Sequence, residues 1–228
     1  MEKCLFRFAL IASLISLGLA QEEAFCHLPS CKDAPHTLCI YPFLKPSPAC
    51  GKIISSGLTQ KEVDGIVALH NKLRKKVASG QEKRGHPGPQ PGAKHMPDLT
   101  WSNDLTAVAQ TWALQCINKH DACKNLPQYY VGQNLNWGSA GGPYDIPLSM
   151  LVQVWYDEVK HVNPKIVKKY HLKKEYAHYT QMVWAKTTEI GCGLVRYTRN
   201  NGEDYEIFLV CNYGPGGNVD TEPMYEVK

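Results

Sequence analysis

Val63, Ile66, Val67, His70, Leu73 and Val77 recur at three- and four-residue intervals, the period of one helical face. The helix they predict opens at Thr59-Gln60-Lys61-Glu62, a capping box, and stops at Gly80. Leu105, Val108, Ala109, Trp112 and Cys116 predict a second helix over 103–117. Leu151, Val152, Trp155, Tyr156 and Val159 predict a third over 147–161, with Pro147 in its first turn. Between the helices the pattern breaks. Residues 85–92 (GHPGPQPG) read as a loop, and 126–143 form a Gly-, Asn- and aromatic-rich connection. Residues 165–174 read as a solvated basic loop in preference to a phosphate- or heparin-binding patch.

Toward the end of the chain the period changes. Residues 191–197 and 206–212 are rich in β-formers and flank Asn201-Gly202, a two-residue hairpin signal. With that loop Asn200 faces Glu203, and counting back places Cys192 opposite Cys211. Opposed residues of an antiparallel pair lie within disulfide reach, so a Cys192–Cys211 bridge is expected. Helices first and a hairpin later, without regular βαβ alternation, predict an α+β domain with helices packed on a mostly antiparallel sheet.

The amino terminus alters the cysteine count. Lys3 and Arg7 precede the thirteen-residue apolar run Phe8–Ala20, with Gly18 and Ala20 before a Gln21 cleavage point, which reads as a secretory signal peptide over 1–20. Removing it discards Cys4 and turns nine cysteines into eight, an even set fit for four disulfides outside the cell. Residues 21–58 hold four of those eight and read as an irregular extension tied down by them; 59–228 form the main domain. The net charge of +4 gives no case for a nucleic-acid partner, and no apolar window is long enough for stable membrane insertion. A secreted monomer is expected.

Familiar catalytic signatures are missing. There is no G-x-S-x-G, H-E-x-x-H or P-loop, and with eight cysteines paired no thiolate remains for nucleophilic attack. No N-glycosylation sequon occurs.

Two strings stand out: Ala177-His178-Tyr179-Thr180-Gln181-Met182-Val183-Trp184, and 208–218 (FLVCNYGPGGN). They resemble the two signature segments of the CAP superfamily, the cysteine-rich secretory, antigen 5 and pathogenesis-related-1 proteins, with Ala177 where Gly is usual. His70-Asn71 with Arg74, Gly132-Gln133-Asn134-Leu135 and Trp155-Tyr156-Asp157-Glu158 agree, in order over about 59–220. The cysteine-rich extension and the 85–101 segment are similar to the arthropod venom allergen 5 (antigen 5) branch.

The resemblance implies an α-β-α sandwich with bridges Cys26–Cys39, Cys31–Cys123, Cys50–Cys116 and Cys192–Cys211. It implies a cleft lined by His120, His178, Glu158 and, where much of the family has Glu, Gln133. Two neutral imidazoles can bind Zn²⁺ or Cu²⁺. Loss of one carboxylate weakens the case for hydrolysis more than for metal binding. The same four residues could equally be a hydrogen-bonded cluster holding helix to sheet. The other histidines, 27, 36, 86, 95, 161 and 171, read as loop or surface residues.

Family members bind sterols or fatty acids between helices or under a loop. The positions that would serve here are Val63, Ile66, Val67, Leu73, Leu151, Val152 and Trp155 on helices, and Tyr129, Tyr130 and Trp137 in the 126–143 loop; plain core is the commoner fate of such stripes. The expected function is a non-enzymatic venom or salivary protein and allergen that binds a small lipid (sterol, fatty acid or eicosanoid) or a host protein, with no cofactor required. The alternatives are a metal-dependent hydrolase or peptidase using His120, His178 and Glu158, and a protein that sequesters divalent metal.

Overall fold

The computed structural model describes residues 25–41, 44–141, 146–199 and 204–228. The signal peptide and the Asn201-Gly202 turn lie outside the described residues. Among the described residues the named α-helices are, in chain order, α1 (Thr37–Ile40), α2 (Gln60–Ala78), α3 (Asn103–Ala113), α4 (Leu148–Asp157) and α5 (Ala177–Met182). Five strands, β1 (Lys52–Ser56), β2 (Thr100–Trp101), β3 (Gly132–Gly141), β4 (Glu189–Arg199) and β5 (Asp204–Gly214), form one sheet. Its path is β1-β4-β5-β3, antiparallel throughout, and β2 adds a short parallel pairing to β4. The α+β sandwich expected from the sequence is the one observed.

The register of β4 and β5 places Cys192 opposite Cys211, with Cα atoms 4.1 Å apart and the bridge formed. Cys26–Cys39, Cys31–Cys123 and Cys50–Cys116 are formed as well.

Each face of the sheet is covered differently. Leu194, Ile207 and Leu209 face α2, α4 and α5 in the main core, with Ile66, Leu151, Trp155 and Tyr179. Val195, Tyr197, Phe208 and Val210 face the other way, toward Ala109, Trp112 and the Cys50–Cys116 bridge. There α3 lies with its backbone directly on β4. A Cβ at Gly193 would collide with the Gln110 backbone, so only glycine admits this approach. The Gln110 amide then clamps the strand, donating to the Leu194 carbonyl (3.1 Å) and accepting from its N–H (2.9 Å).

Helix α2 starts as its capping box requires. Thr59 Oγ1 accepts from the Glu62 N–H, and the Glu62 carboxylate accepts from the Thr59 N–H at 2.7 Å. Its His70-Asn71…Arg74 string is a set of brackets for other segments. Asn71 makes two bonds with the Leu99 backbone (2.7 and 3.0 Å). His70 Nδ1 donates to the Ile66 carbonyl, so its Nε2 accepts from the Tyr213 hydroxyl at 3.0 Å. Burial lowers the His70 pKa to about 4, which keeps the ring neutral. Arg74, 1% exposed, donates to the carbonyls of Pro97, Met182, Trp184 and Thr187 at 2.9–3.1 Å. Burial lowers its pKa to about 10, and it stays charged at neutral pH.

Five expectations need correction. The second helix ends at Ala113, not 117, because the chain turns left-handed at Cys116 (φ 54°) to reach Cys50. The third is α-helical only to Asp157 and tightens to a 3-10 turn over Glu158–His161, and Pro147 is its N-cap. Residues 132–141 are a strand and not a loop: their asparagines bond helix backbones, Asn136 to the Leu151 carbonyl (2.8 Å) and Asn134 to that of His178 (3.1 Å), which hides the alternating pattern. Within the extension, 52–56 is not irregular but pairs with β4. His36, read as a surface residue, is buried at 2%, stacked on Phe25 and bonded to the Asn125 carbonyl (3.0 Å).

Arg74→Ala should lower the free energy of unfolding by about 3–5 kcal/mol, since several buried carbonyls lose their donor together. Urea denaturation measures this; a loss below about 1 kcal/mol would contradict the bracketing role.

Candidate functional site

His178 sits in α5, a six-residue helix too short to hold itself in place. The second signature string braces it along its length: Asn218 donates to the Ala177 carbonyl (2.8 Å) and accepts from Thr180 Oγ1 (2.7 Å), while Gln181 accepts from the Gly217 N–H (2.9 Å). Its amino end is held by Glu158, whose Oε2 accepts from the backbone N–H groups of His178 (2.9 Å) and Tyr179 (3.1 Å). The remaining oxygen, Oε1, accepts from His178 Nδ1 at 2.6 Å. The Trp155 ring stacks beneath the imidazole, centroids 6.2 Å apart. This leaves His178 Nε2 as the unengaged nitrogen.

His120 is positioned by different means. The segment that carries it is anchored on both sides to the extension, by Cys50–Cys116 and Cys31–Cys123. Thr37 donates to the Asp121 carboxylate (2.6 Å), and Trp112 Nε1 to the Lys119 carbonyl (2.8 Å). His120 Nδ1 donates to Gln133 Oε1 at 2.8 Å, and the Gln133 amide is oriented by donating to Asn212 Oδ1 at 3.0 Å. His120 stays exposed at the cleft, but partial desolvation of its ring, with Lys124 and His178 nearby, lowers its pKa against the opposing Gln133 bond. Neutral His120 therefore also presents Nε2.

The two imidazoles line one cavity of about 290 Å³, together with Gln133, Lys124, Tyr130 and Leu172 among others. Of the four residues expected in the cleft, His120, His178 and Gln133 are on its wall. Glu158 stands behind His178 as an orienting acceptor. Among the described residues no cluster of three or more His, Cys, Asp or Glu side chains could hold a metal ion.

The proposed lipid-contacting residues scatter. Ile66 lines a groove of about 570 Å³ between α2 and α4, along with Gly65, Leu69, Ile146, Leu148 and Val152. Leu151 and Trp155 are in the main core, Val67 packs against it and Val63 is buried. Tyr130, 58% exposed, belongs to the histidine cleft. Trp137 lies on the opposite face of the sheet from Leu151, donating toward Tyr197 and Glu206 beneath Arg199. Leu69, Gly65 and Ile146 were missed; a helical wheel of α2 alone cannot show which residues border a groove whose other wall lies some eighty residues away.

The model of the cysteine-rich secretory protein family, CAP, matches residues 67–213. This chain belongs to the CAP family. It is 45% identical to venom allergen 5 of Vespula maculifrons over 96% of both chains, and 41% identical to venom allergen 3 of Solenopsis invicta over 96% of this chain and 99% of that one. Among solved structures it resembles NaASP2, crystallised with Zn²⁺, at a TM-score of 0.64 and 28% identity over 75% of this chain and 88% of that one. In this CAP chain the signature strings thus serve chiefly to fix α5, and through it His178.

Gln133→Glu should raise the His120 pKa by roughly one unit, because a carboxylate beside Nδ1 favours the imidazolium. The ring's NMR chemical shift against pH reads this directly; an unchanged midpoint would show that the Gln133 contact does not govern the ring.

Proposed function

We propose that this CAP protein is a secreted venom- or saliva-type protein, allergenic in an exposed host, that acts by binding a small lipid and not by catalysis. The observation that carries the reading is the groove between α2 and α4. Its walls are mostly apolar, from Ile66, Leu69, Ile146, Leu148 and Val152. One end is polar, where Arg196 donates to Glu62 at 2.7 Å. An acyl chain or sterol body suits the first, and a carboxylate or hydroxyl the second. The disulfides, the signal sequence and the likeness to wasp and ant venom allergens support an extracellular place of action.

A hydrolytic reading is not favoured. A catalytic zinc ordinarily has three protein ligands, and a hydrolase needs a free general base. Here the cleft offers two imidazole Nε2 atoms, Gln133 is neutral, and both Glu158 oxygens are engaged. The same pair suits a non-catalytic divalent metal, Zn²⁺ or Cu²⁺, with Glu158 and Gln133 orienting the rings from behind. When bound, the metal would supply a Lewis-acid centre; the chain itself supplies two neutral nitrogens and excludes carboxylate.

A Cβ at Gly65 meets nothing within 4 Å, so a larger side chain can enter the groove without displacing its neighbours. Gly65→Phe should cut fatty-acid or sterol retention at least about tenfold, seen by extraction and mass spectrometry, without lowering Tm, since glycine is a poor helix former. Undiminished retention would place the lipid elsewhere; no retention in the parent protein would remove the reading. For the metal, calorimetric titration with Cu²⁺ or Zn²⁺ should show one site that is lost in His178→Ala and weakens as pH falls, because protons compete for Nε2. Binding that survives His178→Ala would contradict it.

A further inference from the structure

Residues 165–174 carry five lysines, Lys165, Lys168, Lys169, Lys173 and Lys174, and no acidic residue. The stretch is a loop with exposed lysines, as expected, but its backbone is pinned. Val167 and Tyr170 are fully buried in the main core. A 3-10 turn, Pro164–Val167, opens it under an Asn163 cap. Three backbone hydrogen bonds lash it to the carboxyl-terminal segment: Tyr170 N–H to Glu222 (2.9 Å), Thr221 N–H to Tyr170 (2.8 Å) and Met224 N–H to Val167 (2.8 Å). The buried pair points inward and the five lysines are left exposed. A rigid backbone thus presents them as a fixed ridge.

The nearby carboxylates are not paired with these lysines, although Glu175 lies exposed next to Lys174. Asp220 and Glu222, on the segment lashed to it, are turned to His171 (3.1 Å) and Lys186 (2.7 Å). Among the described residues no ion pair reaches any of the five lysines. Leu172, within the ridge, also lines the histidine cleft, so the ridge borders the cleft mouth; Lys124, on the lining as well, is paired with Asp121 (2.9 Å) and adds no free charge. Fixed like charges at close spacing cost self-repulsion that a solvated loop would relax by spreading. Their retention on a pinned backbone suits a multivalent anion.

We infer that this ridge binds a sulfated polysaccharide of the extracellular matrix or cell surface. Lysine ammonium groups meet sulfates as point charges, without the bidentate geometry that arginine brings to carboxylates and phosphates. Single-stranded nucleic acid asks for exposed aromatic stacking surfaces, and Tyr170 and Tyr176 are buried. A membrane surface asks for several apolar anchors, and Leu172 is the only large one exposed in the ridge. The inference is independent of what the groove or the cleft binds.

The test is retention on immobilised heparin, and Kd by calorimetry across a salt series, for the mature disulfide-bonded chain. The protein should bind, with log Kd rising linearly with log salt concentration, as counterion release requires. Replacing all five ridge lysines with alanine should weaken binding by at least about tenfold. A charge-matched control, alanine at the exposed Lys32, Lys45, Lys52, Lys61 and Lys72, should bind nearly as the parent does. Equal weakening in ridge and control variants would overturn the inference by reducing it to net charge. It also fails if desulfated heparin binds equally well, or if the chain adsorbs to phosphatidylserine vesicles and not to heparin.

Discussion

One guanidinium joins three segments that are far apart in the chain. Arg74 leaves α2 and gathers carbonyls from the loop before β2, from the carboxyl end of α5 and from the turn that leads into β4. Each of those carbonyls ends a stretch where regular hydrogen bonding stops, so each would be costly to bury alone. Asn71 and His70 extend the bracket along the same helix face to Leu99 and Tyr213. Tyr213 in turn accepts from Asn134 in β3, so the network reaches across the sheet from helix to far strand. The cleft stands on this frame. His178 belongs to a helix whose last carbonyls are held by Arg74.

The cleft itself is a matter of tautomers. In both imidazoles Nδ1 donates to an oxygen behind it, and Nε2 is left for the cavity. A carboxylate does this at His178 and an amide at His120. The amide gives orientation without charge, and partial desolvation completes the effect by disfavouring the protonated ring. Of the two side chains that orient the rings from behind, Gln133 is neutral and Glu158 carries a charge.

Helices α2, α3 and α4 and the β4–β5 register were legible because each rests on local chemistry: a capping box, a helical period, an Asn-Gly turn. Strand β3 was not, because Asn134 and Asn136 occupy inward positions where apolar residues would have shown a period of two. Helix α5 offers neither length nor period, and exists because Glu158 and Asn218 hold its ends. For the site, motif resemblance brought His120, His178 and Gln133 to the lining of one cleft. It could not reveal that Glu158 faces backbone amides, which only the fold decides. The basic stretch was legible as an exposed loop but not as an anchored one: Val167 and Tyr170, three apart among lysines, look like stray apolar residues until the carboxyl-terminal segment is laid beside them.

The bridges Cys31–Cys123 and Cys50–Cys116 bracket His120 in the chain, whereas His178 is held by hydrogen bonds and packing, with no disulfide in its helix. The two walls of the cleft are therefore built in different chemical currencies, one covalent and one not. A thiol reductant acts on the His120 wall and leaves the hydrogen bonds of the His178 wall in place. The cysteine-rich extension, which precedes the first long helix and contributes no side chain to the cavity lining, is in this sense half of the cleft's foundation.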